Sequence, residues 1–153
     1  MIKQIIKFIL PFRYEETKLI CYFRMSKFFN RKGLSLLCDA CRHKIQSKYS
    51  CIISPNAEIG SDIKIPHPVG IVIGEGVVIG DNVTIYQNVT LGRKNKEKGE
   101  YPRIDDNVII YSNAVVAGDV HIKKNTIIGA NSVVITDTEE KSVYAGVPAT
   151  RIK

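Results

Sequence analysis

The chain has 153 residues, 44% of them hydrophobic and 24% charged, which suits one globular domain with a small appendage. Its net charge of +7 is unevenly placed: residues 1–50 hold eleven Lys or Arg against Glu15, Glu16 and Asp39, whereas residues 51–153 hold eleven against twelve acids. A nucleic-acid partner for the whole chain is therefore set aside, and no run approaches the roughly 20 apolar residues that a membrane span needs.

The opening MIKQIIKFILPF is interrupted by lysines and is followed by no small-residue cleavage site. A cytoplasmic location is expected, with Cys21, Cys38, Cys41 and Cys51 as thiols. Cys38 and Cys41, near His43 and Cys51, lack the second pair that a zinc set would use, so no metal is expected. Residues 1–50 read as a basic helical segment. Leu19, Ile20, Tyr22, Phe23, Met25, Phe28 and Phe29 recur at helical intervals over 15–29, and the Asn-Arg-Lys-Gly run at 30–33 supplies a stop. A second helix is predicted from Leu34 to about Ser47. Lys3, Lys7, Arg13, Lys18, Arg24 and Lys27 lie among the apolar residues. They fit a solvated face on a helical cap, or a peripheral contact of residues 1–50 with an anionic membrane surface or an acidic partner.

Residues 51–153 follow a different metre. Aliphatic residues recur every six positions at Ile53, Ile59 and Ile65, then from Ile73 to Leu91, then from Ile104 to Val134. Four residues after each comes a small or branched residue, such as Ala57, Val77, Val83, Ala114 or Ser132, and an Asn, Asp or Gly precedes nearly all of these. A period of six fits neither an amphipathic helix nor an alternating strand. It predicts a solenoid of short strands meeting at corners, three strands to a coil of about eighteen residues, with the aliphatics on the axis. Two places break the metre. Ile65 and Ile73 stand eight apart around His67, and a basic excursion at 93–103 separates Leu91 from Ile104.

The hexads Ile59-Gly-Ser-Asp-Ile-Lys, Ile79-Gly-Asp-Asn-Val-Thr and Ile128-Gly-Ala-Asn-Ser-Val resemble the repeat of the hexapeptide acyltransferases. That resemblance implies a mainly β fold: a left-handed parallel β-helix, preceded here by the short α-helical segment. The stretch His67-Pro-Val-Gly-Ile-Val-Ile-Gly-Glu75, with Asn88-Val-Thr-Leu-Gly92 and Ala145-Gly-Val-Pro-Ala149, is similar to the serine acetyltransferase branch and to its relatives that acetylate bacterial surface polysaccharides. The resemblance implies acetyl-CoA as co-substrate and His67 as general base, with Glu75 and Tyr101 beside it in the catalytic set. An imidazole, with an ordinary pKa of about 6.5, suits the removal of a hydroxyl proton at neutral pH. A two-residue excess at one corner should turn His67 out of the stack and into a cleft.

For CoA the resemblance implies a groove between neighbouring subunits of a homotrimer, carried over to Gly92, Ser112, Gly129 and Ala130, to Pro148 and Arg151 in the C-terminal turn, and to Lys94 in the excursion. Three departures bear on the acceptor. A carboxylate that orients the histidine in serine acetyltransferases is matched by Ile52, the Asp before the histidine by Pro66, and a second histidine by Tyr101. The helical region that pairs trimers in those enzymes is also shorter here. These departures favour a sugar hydroxyl of a surface polysaccharide or its precursor, modified at the inner membrane face, over free serine. The alternatives are a serine O-acetyltransferase of cysteine biosynthesis and a non-catalytic structural β-helix. A γ-type carbonic anhydrase is set aside, since only His67 and His121 lie in the repeats.

Overall fold

The computed structural model describes residues 15–95 and 100–153; Lys3, Lys7 and Arg13, and Lys96 and Lys98 of the excursion, lie outside the described residues. Helix α1 spans Glu15–Arg31 and helix α2 spans Ser35–Tyr49. Glu15 and Glu16 sit at the positive end of the α1 dipole and Arg31 at its negative end. The predicted stop is a Schellman turn. Gly33 takes φ +70°, its N–H donates to Asn30 O at 3.1 Å, and the Leu34 N–H donates to Phe29 O at 3.0 Å. Helix α2 continues past Ser47 until Ser50, whose left-handed φ of 52° directs its N–H onto Gln46 O at 2.9 Å. Among the described residues no helix is long and apolar enough to cross a membrane.

From Ile52 the chain coils through short parallel strands stacked in three sheets. One sheet holds Ile52–Ile53, Val72–Ile73, Thr90–Gly92, Val115–Ala117 and Val133–Val134. The second holds Glu58–Ile59, Val78–Ile79, Arg103–Ile104 and His121–Ile122. The third runs from Thr84–Ile85 through Ile109–Ile110 and Ile127–Ile128 to Val143–Gly146, and antiparallel Ala149–Arg151 closes its end. Ile65, Ile73, Ile85, Leu91, Ile110, Val116 and Ile128 are buried on the axis. Fully burying such side chains stabilises by roughly 1.5–3 kcal/mol each.

Strand register makes the two breaks in metre explicit. Val72 pairs with Thr90, and Val115 with Val133, each eighteen residues on. Ile52 pairs with Val72, twenty residues on, and Thr90 with Val115, twenty-five on. The surplus residues leave the stack at corners, one surplus around His67 and the other between Gly92 and Arg103.

The corners are simpler than the repeat suggests. Asp62, Asn82, Asn88, Asn107, Asn113, Asn125 and Asn131 take positive φ. Asn56, Gly76 and Asp119 do not: Ser54 Oγ accepts the Asn56 N–H at 3.2 Å, and Gly118 takes the positive φ beside Asp119. The asparagines also bridge coils, Asn88 to Asn113 at 3.1 Å and Asn113 to Asn131 at 3.0 Å. Val69, expected to pack inward, is exposed, because the bulge carries it off the stack.

The helices seal the first coil. Leu19, Phe23, Ile45 and Tyr49 join the axial apolar cluster. Lys27 Nζ donates to Ala57 O and to Glu58 Oε2, both at 2.7 Å. At the other end Glu15 accepts from Lys18 at 2.9 Å and from Lys48 and Tyr49 at 2.8 Å. Those three donors lower the Glu15 carboxyl from 4.5 to about 2. A depressed carboxylate contributes stability that is complete above its unfolded value and is lost as pH falls through the folded one. The stability gap between wild type and Glu15→Gln should therefore be open at pH 7 and close between about pH 4.5 and pH 2, read from denaturant midpoints.

Candidate active site

The first break in metre builds the turn Pro66–Gly70. Two contacts fix it. The Gly70 N–H donates to Tyr49 O at the end of α2 at 3.1 Å, and the Asn88 N–H donates to Val69 O at 2.9 Å. Gly70 takes φ +67°, and a Cβ there would lie 2.1 Å from Asn88 Oδ1, so both conformation and space demand glycine. The Val69 N–H returns to His67 O at 2.8 Å, which tightens the loop and leaves the His67 side chain exposed. A depression lined by Glu15, Glu16, Lys64, Pro66 and Pro68 lies beside it. The expected cleft is absent from the single chain: His67 stands on an open edge, because one prism edge has no opposing wall.

Register places other residues on this edge. Lys64 pairs with Thr84, Thr84 with Ile109, and Ile109 with Ile127, so Pro66, Tyr86, Tyr111 and Gly129 follow one another along it. His67, Gln87, Ser112 and Ala130 form the adjoining column. The His67 and Tyr86 ring centroids are 6.3 Å apart at 51°, and Tyr86 stacks on Tyr111 at 5.0 Å and 21°. Among the described residues no side-chain hydrogen bond holds the His67 ring. Gly129 donates its N–H to Tyr144 O at 2.8 Å, which places Ala145 in the next coil position. Beyond it Pro148 sits in the closing hairpin after a cis peptide bond, and Arg151 pairs with Glu139.

The remaining predicted residues lie on a different edge. Tyr101 lies across the Gly74–Gly76 backbone, where a Cβ on either glycine would meet its ring at 2.7 or 2.2 Å. Its hydroxyl donates to Glu75 Oε1 at 2.9 Å, and the Arg93 guanidinium lies 6.0 Å from the ring centroid. Burial, then the bond to Glu75, raises the phenol above its ordinary range. Gly92 O accepts from the Gly118 N–H at 3.0 Å, and Lys94 rises beside Gly118. Thus Glu75, Gly92, Lys94 and Tyr101 assemble at one edge, and His67, Ser112, Gly129 and Ala130 at another. One chain does not bring Tyr101 to His67.

The other residues weighed from sequence stand apart. Ile52 is 53% exposed and offers no carboxylate. His121 lies in the second sheet with Nε2 2.9 Å from Asp105 Oδ1. Among the described residues that buried nitrogen makes no hydrogen bond, the approach to Asp105 lacking the geometry of one. Cys21, Cys38, Cys41 and Cys51 are free thiols. Sequence reasoning missed Tyr86 and Tyr111. Their signal is positional: each directly follows an axial isoleucine, as Pro66 follows Ile65.

Coils with this register and corner chemistry define a parallel β-helix built on a six-residue repeat, and its likeness to solved serine acetyltransferases makes the helix left-handed. A pattern described as "Bacterial transferase hexapeptide (six repeats)" matches residues 101–136. A serine acetyltransferase of Haemophilus influenzae is 40% identical over 121 residues, covering 78% of this chain and 44% of that protein. One from Staphylococcus aureus is 49% identical over 102 residues, covering 66% and 48%. A solved serine acetyltransferase in complex with CoA superposes with a TM-score of 0.85 at 32% identity, over 94% of this chain and 60% of that one. The chain carries the hexapeptide repeat of the bacterial transferases. It spans about half the length of the curated relatives it matches. These relatives are serine acetyltransferases, not members of the polysaccharide-modifying branch expected from Ile52, Pro66 and Tyr101.

The packing of Tyr101 yields a direct test. Gly76→Ala should cost about 1–3 kcal/mol by overpacking against the ring, and most of that cost should vanish in a Tyr101→Ala background. Urea unfolding of the four proteins of the cycle measures it. Additive costs would mean that the ring does not rest on this backbone.

Proposed function

We propose that the protein is an acetyl-CoA-dependent O-acetyltransferase with His67 as general base. The observation that carries this reading is the outward turn at Pro66–Gly70, built from surplus residues and held from both sides, which exposes a single imidazole. In the proposed reaction the imidazole accepts the acceptor's hydroxyl proton as the oxygen attacks the thioester carbonyl. The tetrahedral intermediate then collapses, the C–S bond breaks, and the departing thiolate takes the proton from the imidazolium.

The division of residues between two edges supports a homotrimer. A neighbour's Glu75–Tyr101 edge laid against the His67 edge would supply the missing wall and enclose the donor, with Lys94 positioned to meet phosphate charge. The names of the relatives support free serine as acceptor. A second reading, a sugar hydroxyl, is favoured by one observation: around His67 this chain offers Ile52 and Pro66 where a charged grip on an amino acid would be useful, and the Tyr101 hydroxyl is committed to Glu75.

Thiol release from acetyl-CoA tests both levels. Turnover should fall by about two to four orders of magnitude in His67→Ala. Turnover with serine supports the first acceptor, and turnover only with nucleotide-linked sugars or oligosaccharides supports the second. An unchanged rate in His67→Ala would remove the general-base assignment.

A further inference from the structure

The main chain of the Pro66–Gly70 turn is clamped, but the turn itself does nothing to hold the His67 ring. The Gly70 N–H is bound to Tyr49 O and Val69 O to the Asn88 N–H. Among the described residues no side chain hydrogen-bonds the imidazole, and Ile52 and Pro66 offer no carboxylate to it. Glu15, Glu16 and Lys64, which line the depression beside the turn, each have partners of their own. A base whose ring turns freely spends little time aimed at a hydroxyl, so an orienting contact has a catalytic value.

The next coil supplies one. Lys64 pairs with Thr84, which sets Tyr86 level with Pro66 and its ring beside His67, the centroids 6.3 Å apart and the planes tilted by 51°. Aromatic rings attract one another in tilted arrangements at separations of about 4.5–7 Å. Tyr86 is itself well braced. It follows the fully buried Ile85, its N–H donates to Ile110 O at 3.0 Å, and its ring stacks on Tyr111 at 5.0 Å and 21°. Tyr111 is anchored in the same way, after buried Ile110 and with its N–H on Ile128 O at 3.0 Å. The stack therefore backs the Tyr86 ring on the side away from His67.

We propose that Tyr86 is the positioning residue of His67: its ring, braced by Tyr111, limits the imidazole to orientations from which it can take the acceptor's proton. The role rests on the reading of His67 as general base. A ring contact suits a group that changes charge during the reaction. The phenol packs against the neutral imidazole, and its electron-rich face still favours the imidazolium once the proton has moved.

Two readouts on the full chain test the assignment. Proton–carbon NMR spectra should show three histidines, His43, His67 and His121, and His67→Ala identifies the signals of His67. Tyr86→Leu should move those signals toward the position of the exposed His43, whereas Tyr86→Phe, which keeps the ring, should leave them in place. Unmoved His121 signals, from the second sheet, check that the coils are intact. The second readout is thiol release from acetyl-CoA, with serine or a nucleotide-linked sugar, whichever the wild type uses. Tyr86→Leu should lower kcat by about 3- to 10-fold and leave both KM values within about twofold, and Tyr86→Phe should match the wild type. A raised KM at unchanged kcat would mean that Tyr86 touches a substrate, and a slow Tyr86→Phe that the hydroxyl acts. Unmoved His67 signals or unchanged kinetics in Tyr86→Leu would mean that the ring does not position His67. Each of these results overturns the assignment. Failure of the functional reading looks different: the wild type releases no thiol, or His67→Ala releases it at the wild-type rate, and the role of Tyr86 falls with it.

Discussion

Closure of each coil in eighteen residues is the constraint on which the rest of this structure depends. Parallel strands of two or three residues have few hydrogen bonds of their own, so their stability comes from the coils above and below. Val72 over Thr90 and Val115 over Val133 keep that count, and Ile73, Ile85, Ile110 and Ile128 are buried on the axis as a result. A one-residue slip would turn every inward side chain out. Surplus residues can therefore leave only at corners, in whole loops that return the chain to the same register. The turn carrying His67 and the excursion after Gly92 are both of this kind.

Such a prism is convex, and that determines what one chain can do chemically. A corner can project a side chain, but it cannot wall it in. His67 is well fixed at its backbone, through Gly70 to Tyr49 and through Val69 to Asn88, and unenclosed at its ring. Tyr101 and Glu75 are equally well fixed on another edge, where Gly74 and Gly76 leave room for the phenol ring. Precision of the first group and of the second is supplied within the chain. Within one chain the two groups do not meet.

The sequence disclosed the axis of the fold far better than its edges. Six-residue spacing is legible because each inward position excludes all but aliphatic residues, and most corners advertise themselves through asparagine. The helix stop at Gly33 was legible for a similar reason, since its positive φ narrows the choice of residue. Edge contacts follow a different arithmetic. Tyr86 reaches Tyr111 only after the excursion has been counted out of the register, and Tyr101 reaches Glu75 by folding back over glycines whose role is to lack side chains. The acceptor was read from residues that are missing, Ile52 and Pro66 in place of acids. An absence removes one way of gripping a ligand without specifying another, and the relatives in fact carry the serine branch.

The same division explains how a chain of this class can change what it binds without changing its fold. Ile85, Ile110 and Ile128 are fixed by the axis, but the residue after each points away from it and answers only to its neighbours along the edge. Proline, two tyrosines and glycine occupy that column here: Tyr86, Tyr111 and Gly129 donate their N–H groups to Ile110, Ile128 and Tyr144 of the next coil, bonds that other side chains would keep, and Pro66 alone has no N–H to donate. Replacing a tyrosine with a smaller residue would leave the axial packing intact while opening the edge by one ring. Specificity in such a solenoid is therefore written in outward positions read across coils, at a spacing that a single coil does not reveal.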